Sequence, residues 1–373
     1  MKKLIAMLLA LVMVLGLVAC GKSEPAPVVT EPTVPPTMAP YVPADKTIFL
    51  LVPDAEEGWD AQAAEAAKAV AEEINTAGEI TVTVQTYTDD ASQAKLLEDI
   101  AAASTGDGSQ SVVLMPAGEA SEAALAKLLE ANVSYALAEN IPASAAAASV
   151  TNVHYDHRQI GAAAAAYLVN AGMLQKNDVV ILEGPSAEDA LKTEGFKLYL
   201  EGKMEVNGET IETPWESFAT LAYSEMETAT RDGARIYFEG YMEDGDRAYT
   251  GYFASWSDDY LLGILDALKD ENIGKTSRNH LYAMKPVFTG FGADSELCAL
   301  LQAHEDLGED DENTKVDDIL DKFKGMNSIV YDTTMLAQAL QAMADHMAGQ
   351  VVEQEQLLSV QWWKEPAAPE AEE

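Results

Sequence analysis

The feature that most constrains the fold is an alternation. Apolar runs of strand length are each followed by a longer stretch whose apolar residues recur at helical spacing. Thr47–Val52 reads as strand. Trp59–Ala77 reads as helix, because Ala63, Ala67, Val70 and Ile74 share one face and Gly78 follows as a stop. The pattern continues with strand Ile80–Thr86, helix Ala91–Ala103, strand Ser111–Met115 closed by Pro116, helix Ser121–Ala131, and strand Val133–Ala138 closed at Pro142. These βα units recur at about 30 residues, the length of a strand–helix–strand crossover. The second half repeats the theme. Helices are read at Arg158–Ala171, Glu188–Leu200, Thr228–Met242, Asp258–Lys269 and Ser295–His304. Strands are read at Val179–Leu182, Leu221–Tyr223, Thr250–Ala254 and Val287–Phe291. Such alternation implies parallel sheets with helices on both faces, and two runs of it imply two lobes. The expected fold class is therefore α/β, with two doubly wound parallel-sheet lobes.

The first residues do not belong to that pattern. Lys2 and Lys3 precede an apolar run, Leu4–Leu15, that breaks at Gly16 and Gly21. A basic start, a short apolar stretch and small residues before a break make an export signal. The run is shorter than the roughly 20 apolar residues of a spanning helix. Leu17-Val18-Ala19-Cys20 resembles the lipobox of bacterial lipoproteins, in which cleavage precedes the cysteine and its thiol is lipidated. That resemblance implies a signal peptide over 1–19 and membrane attachment through Cys20. Seven of the fifteen prolines then fall between Gly21 and Ala44. Such a segment can neither build a helix nor bury enough surface to fold. Residues 20–45 are expected to form a lipidated, Pro-rich tether, and 364–373 a disordered acidic tail.

The formal charge is −39. Nucleic-acid binding needs basic surface, so that class is excluded, as is electrostatic adhesion to an anionic membrane. With Cys20 lipidated, only Cys298 remains, and no intrachain disulfide is expected; Cys298 reads as a buried small apolar residue.

In the body, the segments TIFLLVPDAEEGW, NVSYALAENIP, YDHRQIGAAAAAYLV, DALKTEGFKLYL, FASWSDDYLLGILDAL, VFTGFGADSELCALL and SIVYDTTMLAQALQAMA follow one another in order. Together they resemble the type I periplasmic binding proteins, the extracytoplasmic ligand receptors of ABC importers, and most closely their sugar-binding branch near the galactose and ribose binders. The resemblance implies two lobes joined by a hinge. The N-terminal lobe would comprise 46–153 plus 333–350, and the C-terminal lobe 154–332 plus 351–363. It implies a monomeric protein, not an enzyme, that captures a small polar solute, with a sugar favoured, and passes it to ABC permease subunits. A sensor presenting its closed form to a membrane receptor and a nucleoside-binding lipoprotein are the alternatives that share the fold. Cytoplasmic repressors of this fold are excluded by the lipobox, the charge and the missing helix-turn-helix.

The same resemblance places the ligand residues. Asp54, Glu57 and Trp59 follow the first strand. Glu139 and Asn140 end the fourth. Asp189 enters a second-lobe helix. Trp256 and Asp258 lie in the family's asparagine-rich segment, with Ser257 in the place of a ligand asparagine. Asp294 follows a late strand. Glu225 and Glu227 are weaker candidates, and Tyr331 and Asp332 lie at the last crossing. Two departures stand out. The sugar binders' arginine is replaced around Ala190-Leu191-Lys192, leaving Lys192 as its only substitute, and the usual "G-x-D" aspartate position holds Gly292. No galactose-type calcium loop is present in Leu174–Asp178.

Among the residues themselves, no G-x-S-x-G, phosphate-binding loop or C-x-x-C motif appears. His154 and His157 have no third ligand at metal spacing, and the acidic run Glu309–Glu312 lacks the glycine of a calcium loop. No cofactor or metal is expected.

Overall fold

The computed structural model describes residues 45–56, 58–216, 221–225, 230–243, 251–269, 273–292, 295–307, 317–364 and 366. The signal segment, Cys20, the tether, Glu57, Glu227, Asp294 and nearly all of the acidic tail lie outside them. No helix among the described residues is long and apolar enough to cross a membrane.

The chain opens with β1 (Lys46–Pro53), α1 (Gly58–Ala77), β2 (Ile80–Tyr87), α2 (Asp90–Ala103), β3 (Gln110–Leu114), α3 (Glu119–Glu130), β4 (Ser134–Ala138), the short α4 (Ala143–Ala146) and β5 (Asn152–Tyr155). There follow α5 (His157–Asn170), β6 (Val179–Glu183), α6 (Ala187–Leu200), β7 (Leu221–Glu225), α7 (Arg231–Glu243), β8 (Tyr252–Ser255), α8 (Asp258–Lys269), α9 (Lys275–Ala283), β9 (Val287–Gly292), α10 (Ser295–Leu307), α11 (Asp317–Leu320) and β10 (Gly325–Val330). The chain closes with α12 (Met335–Met347), β11 (Glu355–Leu358) and β12 (Gln361–Trp362). Expected elements are found within a few residues of their sequence limits; α4, β5, α9, α11, β10, α12, β11 and β12 had not been read from the alternation.

Two six-stranded sheets result, ordered β11-β5-β4-β3-β1-β2 and β12-β10-β9-β8-β6-β7. Every pairing in the first is parallel, and in the second only β12 runs antiparallel, against β10. In each sheet the order reverses beside the first strand, between β1 and β3 and between β6 and β8. A doubly wound sheet binds its ligand outside the carboxyl ends of its strands at such a reversal. The central strands are buried on both faces and so read as continuous apolar runs: Leu50, Leu51 and Val52 of β1 are fully buried.

The chain passes between the sheets at 155–157, 330–335 and 358–361. Helix α12 packs Leu336, Leu340 and Met343 into the core cluster that also holds Ile48, Val113 and Ala136 of the first sheet. The segment 351–363, expected with the second lobe, is divided: β11 extends the first sheet and only β12 joins the second. The expected boundary at 153/154 also falls inside β5. The reason is backbone pairing. The outer edge of β5 carries N–H and C=O groups that need partners, and β11 supplies them: Asn152 N donates to Gln354 O at 2.7 Å, and His154 Nε2 meets Glu355 Oε2 at 2.9 Å. Lys364 is held by Asn327 Nδ2 donating to its carbonyl at 2.7 Å. Cys298, expected to be buried, is partly exposed on α10.

Helices α5 and α6 meet backbone to backbone, which sets the geometry of the second lobe's cleft face. A Cβ on Gly161 would stand 1.7 Å from the Lys192 carbonyl oxygen, and one on Gly195 would stand 1.9 Å from that of Arg158. Only glycine permits this approach, and the alanines Ala162–Ala166 that follow in α5 are buried.

Candidate functional site

The loops at the carboxyl ends of both sheets converge on one cleft. From the first sheet come Asp54 after β1, Tyr87–Asp90 after β2, Met115–Ala117 after β3, and Glu139 and Asn140 after β4. They enclose a hollow of about 340 Å³ with Trp59 and Asp60. A second hollow of about 480 Å³ is walled by Gly58, Trp59 and Gln62 on one side and by Ser257–Asp259, Phe291, Gly292 and Val330–Thr334 on the other. Trp59 is common to both. Gly58, at φ +83°, makes the turn that aims it, a conformation glycine adopts freely.

Trp59 belongs to a pile of aromatic rings. The indole of Trp59 stacks on Tyr331 with centroids 5.0 Å apart. Tyr331 also touches Phe291 at 4.8 Å and Tyr155 at 5.5 Å. Tyr155 Oη donates to Val330 O at 3.3 Å and accepts from Asp332 N at 3.1 Å, tying the first crossing to the second. The pile thus joins a first-lobe ring, a second-lobe ring and the hinge.

Charge is arranged around Lys192. Both it and Asp189 are buried, with Lys192 Nζ donating to Asp189 Oδ1 at 3.0 Å and lying 4.3 Å from the Phe291 ring centroid. The other Asp189 oxygen accepts from Gly184 N at 2.9 Å. Asp189 therefore anchors the lysine, whose backbone is fixed by the Gly161 contact. Glu139 sits across the cleft in a left-handed conformation, φ +66°, which costs about 1 kcal/mol or more for a residue with a side chain. Burial pushes its carboxyl up to about 8, against the pull of Lys192, and the neighbouring charges of Glu188 and Asp60 push the same way. His157 is pushed down to about 4, first by burial and then by Lys192. Both groups are therefore mostly uncharged at pH 7. The Nε1 of Trp59 and the Nδ1 of His157 are buried with no hydrogen-bond partner among the described residues. A buried donor left unpaired costs about 1–3 kcal/mol, so a partner supplied to Trp59 Nε1 is stabilising.

The structure brings Asp54, Trp59, Glu139 and Asn140 to the first hollow, and Trp59 and Asp258 to the second. Asp189 acts through Lys192. Asp258 is buried and accepts from Ser328 Oγ at 2.7 Å, lying over Gly290, where a Cβ would stand 2.3 Å from its carboxylate. Trp256 is a core residue, only 2% exposed, with Nε1 donating to Thr193 Oγ1 at 2.8 Å and its ring edge-on to Phe196. It is not available for stacking on a base, which removes one of the two rings the nucleoside alternative needed. The reason is local: Thr193 bonds in turn to Glu183, so the indole caps a buried polar chain. Asp332 Oδ1 accepts from Thr334 N and Oγ1, both at 2.7 Å, closing the turn into α12.

Sequence reasoning passed over His157 as a cleft residue, having weighed it only as a metal ligand, and also Phe291, Tyr155, Tyr87 and Asp60. The available signal was position: all lie at, or within a few residues of, a strand's carboxyl end. Among the described residues, no group of three or more His, Cys, Asp or Glu is arranged to hold a metal.

A search of curated proteins found no match. Among solved structures, the periplasmic ribose ABC transporter protein from Conexibacter woesei DSM 14684 is 15% identical, with a TM-score of 0.60, covering 86% of this chain and 92% of its own. The binding component of the arabinose ABC transporter from Shewanella sp. ANA-3 is 15% identical, with a TM-score of 0.56, covering 84% of this chain and 90% of its own. A glucose-galactose binding protein from Geobacillus stearothermophilus is 16% identical, with a TM-score of 0.57, covering 85% and 96%. At these identities the likeness is one of fold, and it extends over both sheets. Residues 48–350 match the family described as periplasmic binding protein domain, so with its two reversed-order sheets closing on one cleft the chain belongs to that family.

Proposed function

We propose that the protein is a lipid-anchored, extracytoplasmic solute receptor, not an enzyme. It captures a small polar ligand, a sugar, between its lobes and delivers it to the membrane subunits of an ABC importer. The observation that carries this reading is the buried Trp59 Nε1, which has no hydrogen-bond partner among the described residues and faces both hollows beside a pile of aromatic rings, with the Glu139 carboxyl on the wall of the first. Sugars present hydroxyls to such groups and C–H faces to such rings. Asp54 and Asn140 add an acceptor and an amide to the first hollow, and Asp258 an acceptor to the second. The names of the ribose, arabinose and glucose-galactose proteins point the same way. Cys20 would carry the anchor, and the proline-rich segment would hold the lobes clear of the membrane. A ligand bridging both lobes favours the closed form by its differential affinity for it.

A thermal-shift and denaturation screen against sugars, polyols, nucleosides and polyamines tests this. Sugars should stabilise the protein by about 2.7 kcal/mol at a hundredfold excess over Kd, and Trp59→Ala and Glu139→Ala should abolish the shift. Stabilisation by nucleosides or polyamines alone would refute the sugar reading.

A further inference from the structure

Among the described residues two hollows open on the cleft, and each carries aromatic rings and acidic groups suited to a sugar. The first, about 340 Å³, lies within the first lobe and combines the Tyr87 ring with the carboxyl groups of Asp54, Asp60 and Glu139. The second, about 480 Å³, lies between the lobes and combines the rings of Phe291 and Tyr331 with the carboxylate of Asp258. Each falls within the range of roughly 300–1,000 Å³ typical of complete small-ligand sites. They meet along the first turn of α1. Gly58 and Gln62 face the second hollow, Asp60 faces the first, and Trp59 faces both. Trp59 is the one residue common to the two linings. Tyr331 already covers part of the indole, stacked at 5.0 Å, so what remains of Trp59 is shared between two occupants rather than offered to one. A single hexose ring can engage one set of ring and acceptors and leaves the other set unengaged.

We propose that the ligand is a sugar of two linked rings, a disaccharide, with one unit in each hollow and the glycosidic link passing the indole of Trp59. This rests on the sugar reading above and deepens it. The second hollow, built by both lobes, drives closure. The first, built by one lobe, is accessible in any lobe arrangement and sets the length of ligand accepted. Among the described residues lining either hollow, the Asp and Glu side chains have no basic counterpart, so both units are donor-rich and neither carries a carboxylate.

The test is calorimetric titration of the full-length protein with maltose, cellobiose, lactose and the 1→6-linked isomaltose and melibiose, against glucose and galactose. At least one disaccharide should bind ten or more times more tightly than either component hexose. Ala117→Trp, at an exposed position on the wall of the first hollow, fills that hollow from a loop rather than the core. It should reduce the disaccharide-to-hexose affinity ratio at least tenfold. A hexose binding as tightly as every disaccharide, or a ratio unmoved by Ala117→Trp, overturns the proposal and leaves sugar capture standing. Binding of no carbohydrate at all overturns both.

Discussion

Glu139 and His157 give the ligand-free protein a particular dependence of stability on pH. The Glu139 carboxyl is raised from 4.5 to about 8 by burial, with Lys192 opposing and Glu188 and Asp60 adding to the rise. The folded state therefore keeps a proton that the unfolded chain releases, and the contribution present below pH 4.5 is lost progressively as pH climbs to 8. His157 is lowered from 6.5 to about 4, chiefly by burial. Its contribution has the opposite sign: it is complete above 6.5 and is lost as pH falls to 4. Between 4.5 and 6.5 the folded state holds one proton more at Glu139 and one fewer at His157, and the two slopes cancel. From 6.5 to 8 only Glu139 acts. At about 1.4 kcal/mol per pH unit for one proton, that interval is worth at most about 2 kcal/mol. Glu139→Gln removes the term without changing the shape of the side chain. In urea denaturation series from pH 4 to 9, the variant's stability should hold level above 6.5 while the parent's falls. The gap between them should widen by about 2 kcal/mol between 6.5 and 8. Parallel curves across that interval would refute the assignment of a buried, proton-retaining carboxyl to this position.

Other perturbations follow from contacts already described. Gly161→Ala drives a methyl into the Lys192 carbonyl; unfolding should show a loss of about 3 kcal/mol or more, beyond ordinary overpacking, and ligand affinity should fall with it because Lys192 moves. Lys192→Met leaves Asp189 buried without its counter-charge and should cost about 3–5 kcal/mol, whereas Lys192→Met with Asp189→Asn should recover part of that loss, as read in the same denaturation assay. Trp256→Phe removes the bond to Thr193 and should cost about 1–3 kcal/mol while changing the ligand Kd less than threefold, because the indole is core. Gly290→Ala displaces the Asp258 carboxylate from its place beneath Ser328, and titration should show affinity falling further than a stability loss of about 1–3 kcal/mol would suggest.

What the sequence disclosed, and what it withheld, divides along the range of the forces involved. A parallel strand buried on both faces must be apolar along its length, and its crossover helix must carry an apolar stripe. Both are local patterns, so β1, α1, β3 and their counterparts could be read directly. The short β11 and β12 could not. Neither Glu355–Leu358 nor Gln361–Trp362 is apolar enough to announce a strand; they become strands because β5 and β10 have backbone edges to satisfy, a demand set by residues some 200 and 30 positions away. The site divides in the same way. Trp59, Glu139 and Asn140 were placed by the family resemblance, at positions following strands that the alternation marks. Trp256 holds an equivalent position after β8, yet it turns inward because Thr193 on α6 offers its indole N–H a buried acceptor. No pattern around Trp256 encodes that acceptor. The substitution of lysine for the family's arginine is the converse case. In sequence, Lys192 stood as the only substitute for that arginine. In the fold, its backbone lies against Gly161, its ammonium on Asp189 and Phe291, and its field reaches Glu139 and His157. A bidentate guanidinium would fix a sugar's hydroxyls by itself. A buried ammonium already paired with Asp189 has less to give directly. Its field adds to burial in keeping His157 uncharged and works against burial at Glu139, where it favours the ionised carboxyl. Selectivity in this cleft is therefore expected to rest on matching unpaired donors and acceptors, and that property arises only when helix α6, strand β9 and the loop after β4 have been brought together.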